Sequence, residues 1–403
     1  MSVRKHTWTT KKGEQERWLV DYKDQKGKRR SKLFKRKKDA DEYHSKTKVE
    51  VMGRVHIADR DTTTLAKAGE LWLASDAGLE RSTIKQREQH LNLHIVPFLG
   101  KMKLNEVTVP VVRSFLDKLA AGDPESADEA RHRPRSRAMV RAVRTSLGSL
   151  LADAMEQGLS VRNAVRDMGR ERRSPAKADG RHAELIKVGL DIPTVAEVNT
   201  TLAHAKGAAN MFLTTAALTG MRASELRGLS WAGVDFAKGE ITVRQRADMD
   251  NQIGSPKTKA GRRTIPIGKR LVNALREWKL ACPKGELNLV FPTLEGNVMY
   301  HANVIKQWVH PPQIAAGVTV KTGTDEDGRP VMAPKYTGLH AFRHFYASFC
   351  INQPQDGGLG LSPKVVQHRL GHSSIQMTLD VYGHLFPRGD ATDLDNAEDA
   401  LLG

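Results

Sequence analysis

Hydrophobic positions recur along this chain with two different periods, and the switches between them mark out its elements. Arg17-Trp18-Leu19-Val20-Asp21-Tyr22 alternates polar with apolar or aromatic residues, the period of two that predicts a strand. Gly13 and Gly27 punctuate its ends, and Arg29 to Phe34 reads as the returning strand. From Arg36 to Val51 the spacing of Ala40, Tyr43 and Thr47 in a charge-rich background predicts a helix. Residues 1–60 are therefore expected to form a small sheet with one packed helix; a merely solvated basic face is the plainer alternative.

Over 62–166 the period lengthens to that of helices. Asp61-Thr62-Thr63-Thr64 offers caps for a first helix, with Leu65, Ala68, Leu71 and Trp72 on one face. A second runs from about Ser82, turns Ile84, Leu91 and Ile95 inward, and stops near Pro97 and Gly100. Val111, Phe115 and Leu119 define a third, closed by Gly122-Asp123-Pro124. The fourth spans about Ser136 to Met155 and bears Arg137, Arg141 and Arg144 on its polar face. With Arg133 and Arg135 these are candidate contacts for the phosphates of a polyanion. A charged solvent face fits any one of them equally.

Periodicity fails across 167–187, where Gly, Arg, Ser, Pro and Ala dominate and a linker is expected, with Arg170, Arg172 and Arg173 available to lie along a polyanion. Helical pattern resumes at Asp191-Ile192-Pro193, where proline suits a first turn. Ile241-Thr242-Val243 and Arg263-Thr264-Ile265-Pro266-Ile267 read as strands around a Pro256–Gly261 turn. Ser362-Pro363 opens a further helix that Gly371 closes. The fold class expected is multidomain and mainly α with small β elements. Residues 188–388 form a mixed α/β domain, and an acidic tail follows over 389–403.

Charge changes this picture. Lys and Arg outnumber Asp and Glu by 64 to 46 in 403 residues, a net +18, and residues 1–60 alone hold 19 basic against 9 acidic side chains. Such an excess points to a polyanionic partner, because neutralising phosphates releases counterions. The two cysteines, Cys282 and Cys350, rule out a disulfide framework or a cysteine-based zinc site. No run approaches the ~20 apolar residues that cross a bilayer. Met1 to His6 lacks the apolar stretch of a signal peptide, so a reducing cytoplasm is the expected compartment.

Three short motifs carry the chemistry. Thr219-Gly220-Met221-Arg222-Ala223-Ser224-Glu225-Leu226 places Arg222 and Glu225 three apart on a helix after apolar Phe212 to Leu218, so that the carboxylate can hold the guanidinium. His340-Ala341-Phe342-Arg343 repeats the three-residue spacing. Leu370-Gly371-His372-Ser373-Ser374 precedes Tyr382, with Ser373 and Ser374 as candidate caps. His340 and His344 also form a His-x-x-x-His pair, but Ala341 stands where a metalloprotease needs Glu, and no metal site is expected. Guanidinium groups bind phosphate oxygens bidentately and a tyrosine hydroxyl can attack phosphorus.

In this order the motifs resemble the tyrosine recombinases, the family of phage-type integrases. The resemblance spreads over roughly half the chain. It implies an arm-type DNA-binding domain over 1–60, a helical core-binding domain over 62–166 and a catalytic domain over 188–388. It also implies a catalytic set of Arg222, Lys257, His340, Arg343, His372 and Tyr382, supported by Glu225. Tyr382 would attack the scissile phosphorus to form a 3′-phosphotyrosyl bond, with Arg222 and Arg343 on the non-bridging oxygens. Lys257 would protonate the leaving 5′-oxygen, although Lys259 on the same turn remains a competitor. His340 would assist proton removal from Tyr382, and His372 would donate to phosphate. The implied partners are double-stranded DNA attachment sites, a homotetramer on DNA and accessory DNA-bending or directionality proteins in a bacterial host; no cofactor or metal is implied. A type IB topoisomerase and a non-catalytic DNA-binding regulator are the competing readings.

Overall fold

The computed structural model describes residues 2–10, 13–24, 27–53, 56–58, 61–75, 78–124, 126, 131–168, 185–387 and 401–402. It divides into two compact units, Met1–Ser174 and Pro175–Gly403.

The first unit opens with an antiparallel sheet of β1 (Ser2–Thr10), β2 (Gly13–Lys23) and β3 (Arg29–Phe34), with β2 in the centre. Val20 lies opposite Val3 on one side and Lys32 on the other. Helix α1 (Lys37–Met52) packs on this sheet through Ala40, which is buried with Val20 and Tyr22 while Trp18, Phe34 and Tyr43 flank them. So small a core gains from polar ties. The Tyr22 hydroxyl meets His56 Nε2 at 2.8 Å, and His56 Nδ1 meets Glu50 at 2.9 Å. Arg30 bridges Asp24 and Asp61, so Asp61 is joined to the sheet rather than marking a clean break before the helices.

The helical part comprises α2 (Leu65–Ala74), α3 (Arg81–His90), α4 (Val96–Leu99), α5 (Val109–Ala121), α6 (Arg137–Glu156) and α7 (Ala164–Asp167). Thr64 caps α2 by accepting from the Lys67 N–H. A π-helical turn over Leu91–Ile95 joins α3 to α4. It stands immediately before Pro97, whose ring and missing N–H disrupt the normal i−4 ladder. Leu65, Trp72, Leu91, Ile95, Phe115, Leu147 and Leu150 fill the core between these helices.

In the second unit the first helix starts later than the proline suggested. Thr194 is its cap and Pro193 lies outside, because Thr194 and Glu197 exchange reciprocal hydrogen bonds of 2.8 and 3.2 Å that fix the start of α8 (Val195–His204). Next come α9 (Gly207–Thr219), α10 (Ala223–Arg227), β4 (Val234–Asp235), β5 (Glu240–Val243), β6 (Arg246–Ala247), β7 (Ile253–Gly254) and β8 (Arg263–Pro266). Strands β4, β5 and β8 form one antiparallel sheet, with Ile241 opposite Ile265 and Val243 opposite Arg263. Beyond it are α11 (Lys269–Ala281), α12 (His301–Asn303) and α13 (His310–Ala315), with a second π-helical stretch, Val304–Val309, ahead of Pro311 and Pro312. An exposed hairpin of β9 (Thr319–Thr324) and β10 (Pro330–Pro334) then leads to α14 (His340–Ile351), α15 (Pro363–Leu370) and α16 (Ile375–Tyr382). Phe212 on α9 packs edge-on against Phe291 and tilts against Trp308, so α9 runs through the core with α14 beside it.

Arg170, Arg172 and Arg173 and most of the acidic tail lie outside the described residues. No described helix is long and apolar enough to cross a membrane.

Candidate active site

Two helices of the second unit end in left-handed glycines, and their final carbonyls build the site. Gly220 closes α9 at φ +59° and Gly371 closes α15 at φ +67°. A Cβ on Gly220 would fall 2.4 Å from the Tyr346 ring, and one on Gly371 would fall 2.9 Å from the Ala260 carbonyl and from Arg263. Glycine is thus required at both for backbone and for space. The last carbonyls of a helix lack internal partners and carry its negative end. Here guanidinium groups take them.

Three successive carbonyls each orient one arginine. Arg263 Nε donates to the Arg369 carbonyl at 2.7 Å, Arg343 Nη2 to Leu370 at 2.6 Å, and Arg222 Nη2 to Gly371 at 3.1 Å. Arg343 Nη1 also donates to the Gly220 carbonyl at 2.7 Å, tying the two helix ends together. Glu225 is the carboxylate among them. It receives Arg222 Nη1 at 2.9 Å, Arg263 Nη1 and Nη2 at 3.1 and 2.9 Å, and the Arg222 backbone N–H at 2.9 Å. Burial pushes the Glu225 carboxyl up, but Arg263 and the Arg222 N–H outweigh it and hold it below the usual carboxylate range. Burial, then Arg222 and Arg263, push the Arg343 guanidinium down to about 9. Three guanidiniums around one carboxylate leave a surplus of positive charge, and Arg222, 36% exposed at its side chain, presents it to solvent. A phosphate is the anion this arrangement fits.

Arg222 is not on the helix that carries Phe212 to Leu218. Gly220 ends that helix, and Arg222 is the residue before α10, with Glu225 inside its first turn. The pairing survives because the carboxylate caps α10 as well as binding the guanidinium.

Tyr382, the last residue of α16, is 2% exposed, and burial pushes its hydroxyl up to about 12 against the pull of Arg343. Ser374 caps α16 through the Met377 N–H. The His372 ring lies parallel to the tyrosine ring at 6.4 Å, and its Nδ1 is engaged by the Thr378 hydroxyl at 2.9 Å. His344 Nδ1 lies 2.8 Å from the Tyr382 hydroxyl. His340, one turn earlier on α14, stacks edge-on against His344 at 4.8 Å. Burial, then neighbouring charges (His340 and Arg343 for His344, Arg343 and Arg222 for His372), push both rings down to about 4. The same forces lower His340. The three imidazoles are therefore neutral at physiological pH.

The Phage integrase family matches residues 191–388, and the N-terminal SAM-like domain of phage integrases matches residues 64–120. The chain belongs to the phage integrase family. The ICEBs1 integrase of Bacillus subtilis is 32% identical over 196 residues, 47% of this chain and 48% of that protein. The prophage integrase IntR of Escherichia coli is 23% identical over 349 residues, covering 82% and 78%. The chain thus spans about half the length of the first curated relatives it matches, and more of others. Among solved structures, the Tn1549 transposon integrase in complex with a circular intermediate DNA superposes with TM-score 0.60 at 18% identity, over 84% of this chain and all of that one. A lambda integrase dimer bound to a core site gives 0.54 at 16%, over 96% and 97%. These likenesses show that the fold is that of an integrase.

Within this chain the six candidate residues do not stand alike. Arg222, Arg343, His340, His372 and Tyr382 converge on the cluster above. Lys257 and Lys259 are both exposed, Lys259 opening a 3-10 turn that ends at Gly261. Arg133, Arg137 and Arg141 are exposed beside or along α6, while Arg135 and Arg144 are half-buried. Two site residues escaped the sequence. Arg263 occupies an inward strand position on the same face as buried Ile265, and an arginine there demands a buried partner. His344 was visible only as half of a metal-like pair.

Proposed function

We propose that this chain is a site-specific DNA recombinase, which breaks and rejoins strands through a 3′-phosphotyrosyl intermediate to integrate or excise a mobile element. The observation that carries this is the set of three carbonyls, Arg369 to Gly371, holding Arg263, Arg343 and Arg222 around Glu225, beside a buried tyrosine. Tyr382 attacks the scissile phosphorus of double-stranded DNA while Arg222 and Arg343 stabilise the charge developing on its non-bridging oxygens. Lys257 gives the leaving 5′-oxygen its proton, His372 donates to phosphate, and His340 assists proton removal from Tyr382. The phosphotyrosyl bond stores the energy of the broken linkage, so rejoining needs neither nucleotide nor metal. Relatives named integrase and transposase of mobile elements support this reading. Residues 1–60 serve as an arm-type DNA-binding module, and the α6 arginines contact the backbone of the crossover site. A homotetramer on DNA carries out exchange, with accessory bending or directionality proteins.

The test uses a nicked duplex covering one end of the element that carries the gene. Tyr382→Phe should abolish the covalent adduct while leaving DNA affinity nearly unchanged. Lys257→Ala should slow cleavage about 10²–10⁴-fold, and a 5′-phosphorothiolate leaving group, which needs no proton, should restore it. Persistent adducts in the Tyr382→Phe variant would mean another nucleophile, and rescue of Lys259→Ala alone would move the acid to Lys259.

A further inference from the structure

We infer that His344 is the group that takes the proton from Tyr382 when the tyrosine attacks, with His340 assisting only through its contact with His344. The inference rests on the reading of Tyr382 as nucleophile. The reaction poses a specific difficulty, because a buried hydroxyl, 2% exposed, must become an oxyanion at neutral pH. A base has to lie within hydrogen-bond reach, about 2.6–3.2 Å. His344 Nδ1 meets that condition at 2.8 Å. Its ring meets the tyrosine ring at 60° with centroids 5.7 Å apart, so the hydroxyl points at the imidazole edge rather than its face.

The other histidines are placed differently. His372 lies parallel to the tyrosine ring, and its Nδ1 is engaged by Thr378. His340 begins α14, and its ring meets that of His344 edge-on. The charged and titratable groups acting on His344 are His340 and Arg343 on its own helix, Asp191 ahead of α8, and Tyr382 on α16. Arg343 and His340 disfavour protonation at rest while Asp191 opposes them, so the ring waits neutral with an open lone pair. With its proton on Nε2, Nδ1 accepts from the tyrosine hydroxyl.

The step balances. The Tyr382 proton passes to His344 Nδ1 as the Oη–P bond forms and the P–O5′ bond breaks. The 5′-oxygen leaves with a proton from Lys257. On rejoining, the incoming 5′-hydroxyl returns a proton to the lysine, and His344 returns its own to Tyr382. Phosphate charge arriving beside Arg222 and Arg343 offsets the positive field on His344, so its basicity rises when substrate is bound.

Single-turnover adduct formation on the nicked duplex described above, followed from pH 6 to 9 with the full chain, tests the assignment. His344→Ala should lose about 10²–10⁴-fold at pH 7. Its rate should then climb about tenfold per pH unit as hydroxide replaces the missing base, a slope that wild type lacks. His344→Gln keeps a hydrogen-bond acceptor near the hydroxyl but no useful basicity, and it should show the same loss and slope. It also stands in for the alanine variant if that one unfolds. Wild-type cleavage by His344→Gln would reduce His344 to a positioning residue and overturn the proposal. So would the hydroxide slope appearing in His340→Ala and not in His344→Ala or His344→Gln. Failure of the underlying reading looks different: Tyr382→Phe would still form an adduct.

Discussion

The arginines of the two units solve opposite problems. In the second unit Arg263 and Arg343 are buried, and with Arg222 each is fixed by a helix-terminal carbonyl. In the first unit Arg133, Arg137 and Arg141 stand exposed. Burial with satisfied donors makes a charge precise, since it cannot relax and its field is little screened. Exposure makes a charge adaptable but weak. On the proposed function, the difference would separate holding a phosphate for chemistry from holding DNA for residence, with two kinds of arginine doing it.

The comparison breaks most visibly at Glu225 and Arg263. Their side chains are 3% and 0% exposed, so removing Glu225 leaves Arg263 charged and buried with no carboxylate, and removing Arg263 leaves the buried Glu225 with only the part-exposed Arg222. Arg263→Met or Glu225→Met should cost about 3–5 kcal/mol of stability, read as a lower denaturation midpoint. The double variant should recover much of that loss, because apolar replacement of a whole buried pair is often neutral. Cleavage should not recover, since Arg222 would have lost the carboxylate that aims it. A double variant that cleaves normally would show that the pair only stabilises. The pH dependence has a definite sign. Glu225 is depressed below its ordinary 4.5, so its contribution is full above that value and lost as pH falls through the depressed one. His344 and His372 fall from 6.5 to about 4. Between those values the unfolded chain binds the extra protons, and stability should begin to decline from about pH 6.5 downward.

Five of the six candidate residues were legible only through the family resemblance of their motifs, since three-residue spacing alone reads as an ordinary helical pair. Arg263 was not, because an arginine in a short strand reads as polar until its neighbour Ile265 is known to face the core. His344 was passed over for a related reason: spacing reveals that two histidines share a face, but not what lies opposite. Only the packing of α16 against α14 brings Tyr382 to it. Strand β1 carries polar residues at nearly every position, Ser2 to Thr10, so it has no period to detect and is recruited by β2. Lys257 and Lys259 remain equivalent in exposure, and chemistry must choose between them.

The exposed side of the comparison is sharpened by salt. If Arg133, Arg137 and Arg141 each neutralise one phosphate, replacing each by alanine should reduce the slope of log affinity against log salt by about 0.9. Loss should be similar on every DNA sequence, and the cleavage rate at saturating protein should not change. A changed rate with unchanged slope would place these residues in the chemistry and erase the distinction between the two kinds of arginine.

The smallest effect belongs to a pair that resembles the catalytic one on paper. Arg30 bridges Asp24 and Asp61, as Arg263 and Arg222 share Glu225, yet the Asp61 side chain is 51% exposed. Water screens that partner, and an exposed ion pair contributes little to stability. Asp61→Asn should therefore shift the unfolding midpoint of the first unit only slightly, whereas Glu225→Met should shift that of the second by several times as much. Arg30 keeps Asp24, whose side chain is 8% exposed, so it is not left unpaired. A larger loss in Asp61→Asn would mean that the sheet and the helices are held together chiefly by this bridge. Residues 1–60 would then be an integral part of the helical unit instead of a separable arm-binding module.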